Sequence, residues 1–573
     1  MSCFRVFRKV SISMALILAF LPTVLTSWAD DGPPEAALKL LEADAKGYDD
    51  ILFRTGKTVD YMREQARTRY TSWEPLARSG VPTAQFLYGL CLKRGINCNI
   101  DQNTAVEYLL KAASRGEPRA CNSLATSYKN GEGVTKDMKK ALHWYTRSSD
   151  VGYAAAQCNL ADMYSGTDGV DPSYIVAYSL YKKSAEQRYS KAQIALGLIS
   201  FHNSEFVGVV KAANIVKSKE AGFTWFARSA LAGNPYGQYL VADCYYRGEG
   251  IERNHKLALE NYRLSAESGN TNGMLGLGNC LIDGQGIDLD QEQGAKWIMK
   301  SAATGNIEAM HDVGFVLYDR GIGVDQNRLE AVSWYKKAAE KGYAPSQNNL
   351  GSCYENGQGV NIDLREAAMW YSRAAQQGMA VAQNNLGCLM SSHSEVRDLN
   401  AANELFRKSS AQGNSDATFN LALSYLLGEG VGKNEAEAAR LFERSASQGS
   451  VSGAFNAAIA CLHGRGIEKD AVKGVQWLKT AAEMGHSDAQ YSLAICYANG
   501  IGVKKNSDLA KLWVRKSGRR DFVNPAGAGV KVDAGLNDGE YREPEWLKEY
   551  DRREREWYRK QQLDELRRLG IDK

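Results

Sequence analysis

Gly342-Tyr-Ala-Pro-Ser-Gln-Asn-Asn-Leu-Gly-Ser-Cys-Tyr-Glu-Asn-Gly-Gln-Gly-Val360, followed after a polar stretch by Glu366-Ala-Ala-Met-Trp-Tyr-Ser-Arg-Ala-Ala-Gln-Gln-Gly378, decides the fold of this chain. Leu350 and Tyr354 stand four residues apart and their segment stops at Gly357-Gln-Gly359. Ala367, Trp370, Tyr371 and Ala374 recur at helical spacing and stop at Gly378. Both segments therefore read as amphipathic helices, A and B. Glycine at each stop suits a left-handed C-terminal cap, and the pair Gly357 and Gly359 lets the chain reverse into helix B.

The same pattern opens again at Gly80, Gly116, Gly152, Arg188, Gly233, Gly269, Gly305, Gly378, Gly413, Gly449 and Gly485, almost always 35 to 37 residues apart. A fixed period in this range signals a solenoid whose hairpins bury their faces against one another. The Gly-x-Gly from Gly131/Gly133 to Gly500/Gly502 is then a turn, not a phosphate loop. No strand precedes any copy, and the third glycine of a dinucleotide site is absent. Two further columns point to packing. Trp144, Trp225, Trp297, Trp334, Trp370, Trp477 and Trp513 share one helix B position, and small pairs such as Ala112/Ala113, Ala338/Ala339, Ala374/Ala375 and Ala481/Ala482 share another. Large and small residues at fixed intervals let neighbouring helices interdigitate.

Ala-Gln-Asn-Asn-Leu-Gly, then Tyr, Gly-x-Gly-Val, Ala-x-x-Trp-Tyr-x-x-Ala-Ala and a closing Gly resemble the Sel-one-like repeat family over about three quarters of the chain. The resemblance implies an all-α fold: a right-handed α/α superhelical solenoid of about 12 helical-hairpin repeats, akin to the tetratricopeptide type, with helix A on the concave side. It also implies an adaptor role in protein complexes. Two repeats depart from the pattern. The one from Arg188 carries an insertion near Phe206 to Lys219, and the one from Gly378 has Ser391-Ser-His-Ser in place of Gly-x-Gly.

Arg5, Arg8 and Lys9 lead into an apolar run, Val10 to Leu25, and then Ser27-Trp28-Ala29, which reads as a signal peptide (residues 1–29) cleaved after Ala29. The run is short for a membrane span of about 20 residues. The expected product is exported, periplasmic or secreted, with a eukaryotic secretory lumen as the alternative; it is monomeric and has no membrane span once the leader is removed. Residues 30–79 read as N-terminal capping helices, 80–518 as the solenoid, 519–544 as a linker and 545–573 as a charged C-terminal helix. Removing the three leader cations lowers the formal charge from +4 to about +1. A nearly neutral surface gives no reason to expect nucleic acid or an anionic membrane as partner.

Ten cysteines follow the leader, in a compartment where disulfides form. Cys91, Cys244, Cys280, Cys353 and Cys496 occupy one helix A position. Equivalent positions on stacked helices lie roughly 8 to 10 Å apart, beyond disulfide reach, so these read as buried thiols. Cys91 and Cys98 lie on helix A and in the loop of one repeat; as in the cysteine-rich branch of the family, a bridge there would clamp the hairpin.

The histidines are scattered, with no His-Glu-x-x-His and no Cys-x-x-Cys, so neither a metal site nor a cofactor is expected. Gly56-Lys57-Thr58 lacks the earlier glycine of a phosphate loop. Ser179-Leu-Tyr-Lys182 and Ser333-Trp-Tyr-Lys336 match the Ser-x-x-Lys of penicillin-recognising enzymes, but both fall on helix B. Because relatives carry a β-lactamase label, an envelope hydrolase of β-lactamase-like or peptidoglycan-amide type is the alternative to a non-enzymatic scaffold. The candidate binding residues are Asn159, Asn349, Asn385, Asn420 and Asn456, each seven residues after its repeat's opening glycine. A row of amides offers donors and acceptors that can pair with the backbone of a bound peptide. Equally, each amide can bond a neighbouring turn inside the solenoid. The expected function is an exported protein-binding scaffold of the cell envelope, holding a protein or peptide on its concave helix A surface.

Overall fold

Each glycine-terminated segment closes as a helix, most of them 13 residues long. A computed structural model describes residues 35–55, 58–167, 170–201, 206–214, 216–286, 288–319 and 321–518. Among these, 27 α-helices and no strand are formed. The expected leader (1–29), linker (519–544) and charged helix (545–573) lie outside the described residues. No described helix is long and apolar enough to cross a membrane.

Local chemistry fixes the ends of the hairpins. Except after Ser173, helix B opens on a side chain that accepts from its own first turn, as Asp363 does from Arg365 and Glu366 amides at 3.0 Å, satisfying donors with no partner inside the helix. Helix A (Ala344–Asn356) stops at Gly357, left-handed with φ 71, whose N–H bonds the Cys353 carbonyl. The second glycine of the pair has a further cause. Gly359 (φ 69) presses on the preceding repeat, where a Cβ would overlap the Arg328 carbonyl at the start of helix B. In the first repeat Asn97 stands at this position with φ 56, and its amide reaches back to the Ala66 carbonyl at 2.7 Å.

The chain divides into two compact units, Met1–Trp297 and Ile298–Lys573. The first begins with α1 (Glu35–Arg54) and α2 (Thr58–Arg78), which precede the helix Pro82–Arg94. Trp73 of α2 is fully buried and donates to Asp44 of α1 at 3.1 Å, and Arg69 ion-pairs with the same carboxylate. In the Arg188 repeat the expected insertion forms a short helix, Val207–Ala212, with Val209 buried and the Phe206 ring edge-on to Tyr181. The second unit is irregular where expected. Helix Ala380–Ser392 ends at His393 in an extended conformation, and a 3-10 turn, Ser394–Val396, replaces the glycine turn.

Both cores are built from an aromatic column one residue beyond the tryptophans. Tyr145, Tyr181 and Phe226 in the first unit, and Tyr335, Tyr371, Phe406 and Phe442 in the second, are at most 3% exposed. They lie against a helix A position that is Gly or Ala in all twelve repeats; a Cβ on Gly351, for instance, would press into the Tyr371 ring. The tryptophans stand one step outward. Trp144, Trp225 and Trp334 are half-buried, each with an Arg or Lys one turn later over its ring, as Lys337 is over Trp334 at 3.8 Å. Trp370 and Trp513 are buried beneath Arg373 and Lys516. The small pairs are core: Ala338, Ala339 and Ala374 are at most 1% exposed.

Candidate functional site

A glutamine near the start of helix A, present in seven of the twelve repeats, joins adjacent repeats. Gln347 and Gln383 donate to the Ala339 and Ala375 carbonyls at 3.0 and 3.2 Å, while accepting at 2.8 Å from Gln377 and Gln412 at the end of their own repeat's helix B. One side chain thus ties three helices. In the sequence this glutamine reads only as part of a motif; its recurrence near the buried alanines is the signal of its linking role.

The asparagines form a second link. Asn159 donates to Asn122 at 2.9 Å in the first unit, and in the second Asn385 donates to Asn348 and Asn420 to Asn384, both at 3.0 Å. Each bond runs from the seventh residue of one repeat to the sixth residue of the repeat before it. Asn456 instead donates to the Ser452 carbonyl within its own helix at 3.1 Å. Asn420 and Asn456 are 7% and 8% exposed, whereas Asn159, Asn349 and Asn385 are half-buried and present an edge to solvent. The outward-facing amides of this column are therefore Asn159 in the first unit and Asn349 and Asn385 in the second.

Around Asn349 and Asn385, the face formed by the third, seventh, tenth and fourteenth residues after each opening glycine points along one side of helix A. In the second unit it exposes Phe315 (44%), Val381 (46%) and Leu427 (38%). Behind it sit polar groups with altered acidity. His311 bonds Ser346 at 2.9 Å and lies between the Tyr335 and Tyr343 rings, and burial lowers its pKa from 6.5 to about 4. Burial raises that of Glu355, even though the carboxylate accepts the Tyr371 hydroxyl at 2.7 Å.

The other sequence candidates fall elsewhere. Ser179, Lys182, Ser333 and Lys336 are all exposed on helix B. The cysteine column is buried: Cys91, Cys244, Cys280, Cys353 and Cys496 are at most 4% exposed. Cys91 and half-buried Cys98 are both thiols. Burial first, and nearby Cys98 second, push Cys91 up to about 12. Among the described residues no group of three or more His, Cys, Asp or Glu is arranged to hold a metal.

Comparison with known proteins matches this geometry. A family model described as Sel1 repeat matches twelve consecutive segments, from 82–117 through 344–379 to 487–522. A crystal structure of a protective antigen from uropathogenic Escherichia coli strains, displaying an SLR fold, is 29% identical; the match covers 78% of this chain and 94% of that one, with a TM-score of 0.54. A Sel1 repeat protein from Oxalobacter formigenes is 27% identical over 56% of this chain and 90% of its own, with a TM-score of 0.40. Comparison with curated proteins gives no match.

Proposed function

Because the chain belongs to the Sel1 repeat family, whose members generally mediate protein–protein interaction, we propose that it is an exported, non-enzymatic scaffold of the cell envelope that holds a protein or peptide on its helix A faces. The observation that carries this reading is the set of exposed apolar side chains, Phe315, Val381 and Leu427, on the same helix A face as the half-buried amides of Asn349 and Asn385. Apolar anchors beside amides suit a partner whose backbone supplies hydrogen bonds and whose side chains fill the intervals. Export rests on the charged and apolar leader, and in an oxidising compartment Cys91 and Cys98 are the pair expected to bridge.

The test is positional. A photo-crosslinking residue at Asn349 should capture the native partner in intact cells, whereas one at exposed Arg365 on helix B should not. Equal capture from both positions, or none from either, removes the helix A face as the binding surface. In the same preparation the mature N-terminus should be Asp30, and peptide mapping without reductant should recover Cys91 joined to Cys98.

A further inference from the structure

A solenoid repeat ordinarily touches only its neighbours, and α1 breaks that rule. Its first half is held by α2, through Asp44. Its second half runs across the starts of four successive helices A in the first unit. Tyr48 meets the Phe86 ring edge-on at 5.3 Å. The Asp49 carboxylate accepts from Arg119 Nε at 2.7 Å and from the Tyr153 hydroxyl at 2.8 Å. Phe53 lies between the rings of Tyr153 and Tyr189, 5.9 and 5.5 Å away. Arg54 Nε donates to the Ala232 carbonyl at 3.2 Å. Four residues within a seven-residue stretch of one helix thus engage the repeats that open at Gly80, Gly116, Gly152 and Arg188.

These contacts have the form of a ligand in a recognition groove. Asp49 and Phe53 stand four residues apart and share one helix face. The slot that receives them combines a guanidinium, a phenol and two aromatic rings. Asp49 is largely buried, which raises its carboxyl, while Arg119 opposes that shift. Arg119 also pairs with Glu117 at 2.9 Å, so its position is fixed from the solenoid side. A carboxylate removed from water persists where a charge-assisted donor meets it, and this slot supplies two donors.

We propose that this slot, formed by the starts of the first unit's helices A, recognises a partner helix carrying a carboxylate four residues before an aromatic ring, and that the second half of α1 occupies the slot in cis until such a helix displaces it. The inference rests on the reading of the chain as a protein-binding scaffold and adds a second surface with a defined ligand. A tethered occupant competes at an effective concentration of about millimolar, so a free ligand at micromolar concentration is held off while α1 is seated.

The experiment uses the full chain and a fluorescent synthetic peptide of the α1 sequence, Glu35–Arg54. Asp49→Ala with Phe53→Ala loosens α1 and leaves Arg119, Tyr153 and Tyr189 in place. This double variant should bind the peptide at least tenfold more tightly than the wild type. A further Arg119→Ala, or the Asp49→Ala change in the peptide itself, should remove that gain. A double variant that keeps its helicity yet binds no better than the wild type overturns the proposal, as does binding indifferent to Arg119. If the double variant does not fold, the wild type decides: excess peptide should speed amide exchange across residues 48–54, and unchanged exchange rejects displacement. Capture from the crosslinker at Asn349 is read separately, so failure here leaves the helix A face of the second unit to be judged on its own.

Discussion

His311 is kept neutral by its surroundings, with its Nδ1 on Ser346 and its ring among Tyr335 and Tyr343. Its folded pKa, about 4, lies below the ordinary 6.5, so the unfolded chain takes up a proton first as the pH falls. The stability from the neutral ring is complete above about pH 6.5 and is lost towards pH 4, on the order of 3 kcal/mol in all. Amide exchange in helix Ile307–Asp319 should therefore accelerate between pH 6.5 and 4 beyond its intrinsic dependence, and His311→Phe should flatten that excess; equal pH profiles for both proteins would refute this. Glycine offers a second single-residue test. At Gly378 (φ 87) a Cβ would meet no atom within 4 Å, whereas at Gly359 (φ 69) it would face the Arg328 carbonyl. Gly378→Ala should cost only left-handed strain, about 1 to 2 kcal/mol, and Gly359→Ala at least twice as much in denaturant titration. Equal costs would mean that the second glycine serves the turn alone.

Between elements, the asparagine links account for how far the site could be read in advance. The spacing that places Asn349, Asn385, Asn420 and Asn456 on one column is legible in the sequence, because helical period and repeat length are both regular. Whether the amides face a partner or one another is not, since it depends on the offset between stacked helices, and that offset brings Asn385 to Asn348 rather than to Asn349. The Trp-Tyr pair raised the same difficulty: adjacent aromatics share a helix, and only the Gly or Ala opposite shows that Tyr371 takes the core while Trp370 lies beneath Arg373. A double-mutant cycle tests the amide link. Asn385→Ala alone should cost about 1 to 3 kcal/mol, because it leaves the Asn348 oxygen without its donor. The Asn348→Ala, Asn385→Ala pair should cost clearly less than the two single changes added together. Strict additivity would show that the bond contributes nothing.

At the scale of the whole chain, the glycine punctuation revealed the twelve repeats, because each hairpin is specified locally. The course of α1 was hidden. Residues 30–79 read as a plain cap, whereas Tyr153 bonds Asp49 across 104 residues and Arg54 reaches Ala232 across 178, separations that no repeat period encodes. Elsewhere stability should be the sum of neighbouring contacts, so damage should stay local. Trp370, 4% exposed and covered by Arg373, tests this in the middle of the regular stretch. Trp370→Ala should cost about 3 to 5 kcal/mol through the cavity it leaves. Amide exchange should speed up first in helix Leu364–Gln376 and in the flanking helices Ala344–Asn356 and Ala380–Ser392. Helix Val451–His463, two repeats further on, should keep its wild-type protection, and so should Pro118–Asn130 in the first unit. Loss of protection spread evenly from Pro118 to His463 would instead mean that the repeats melt as one cooperative body, and the nearest-neighbour account of this solenoid would have to be abandoned.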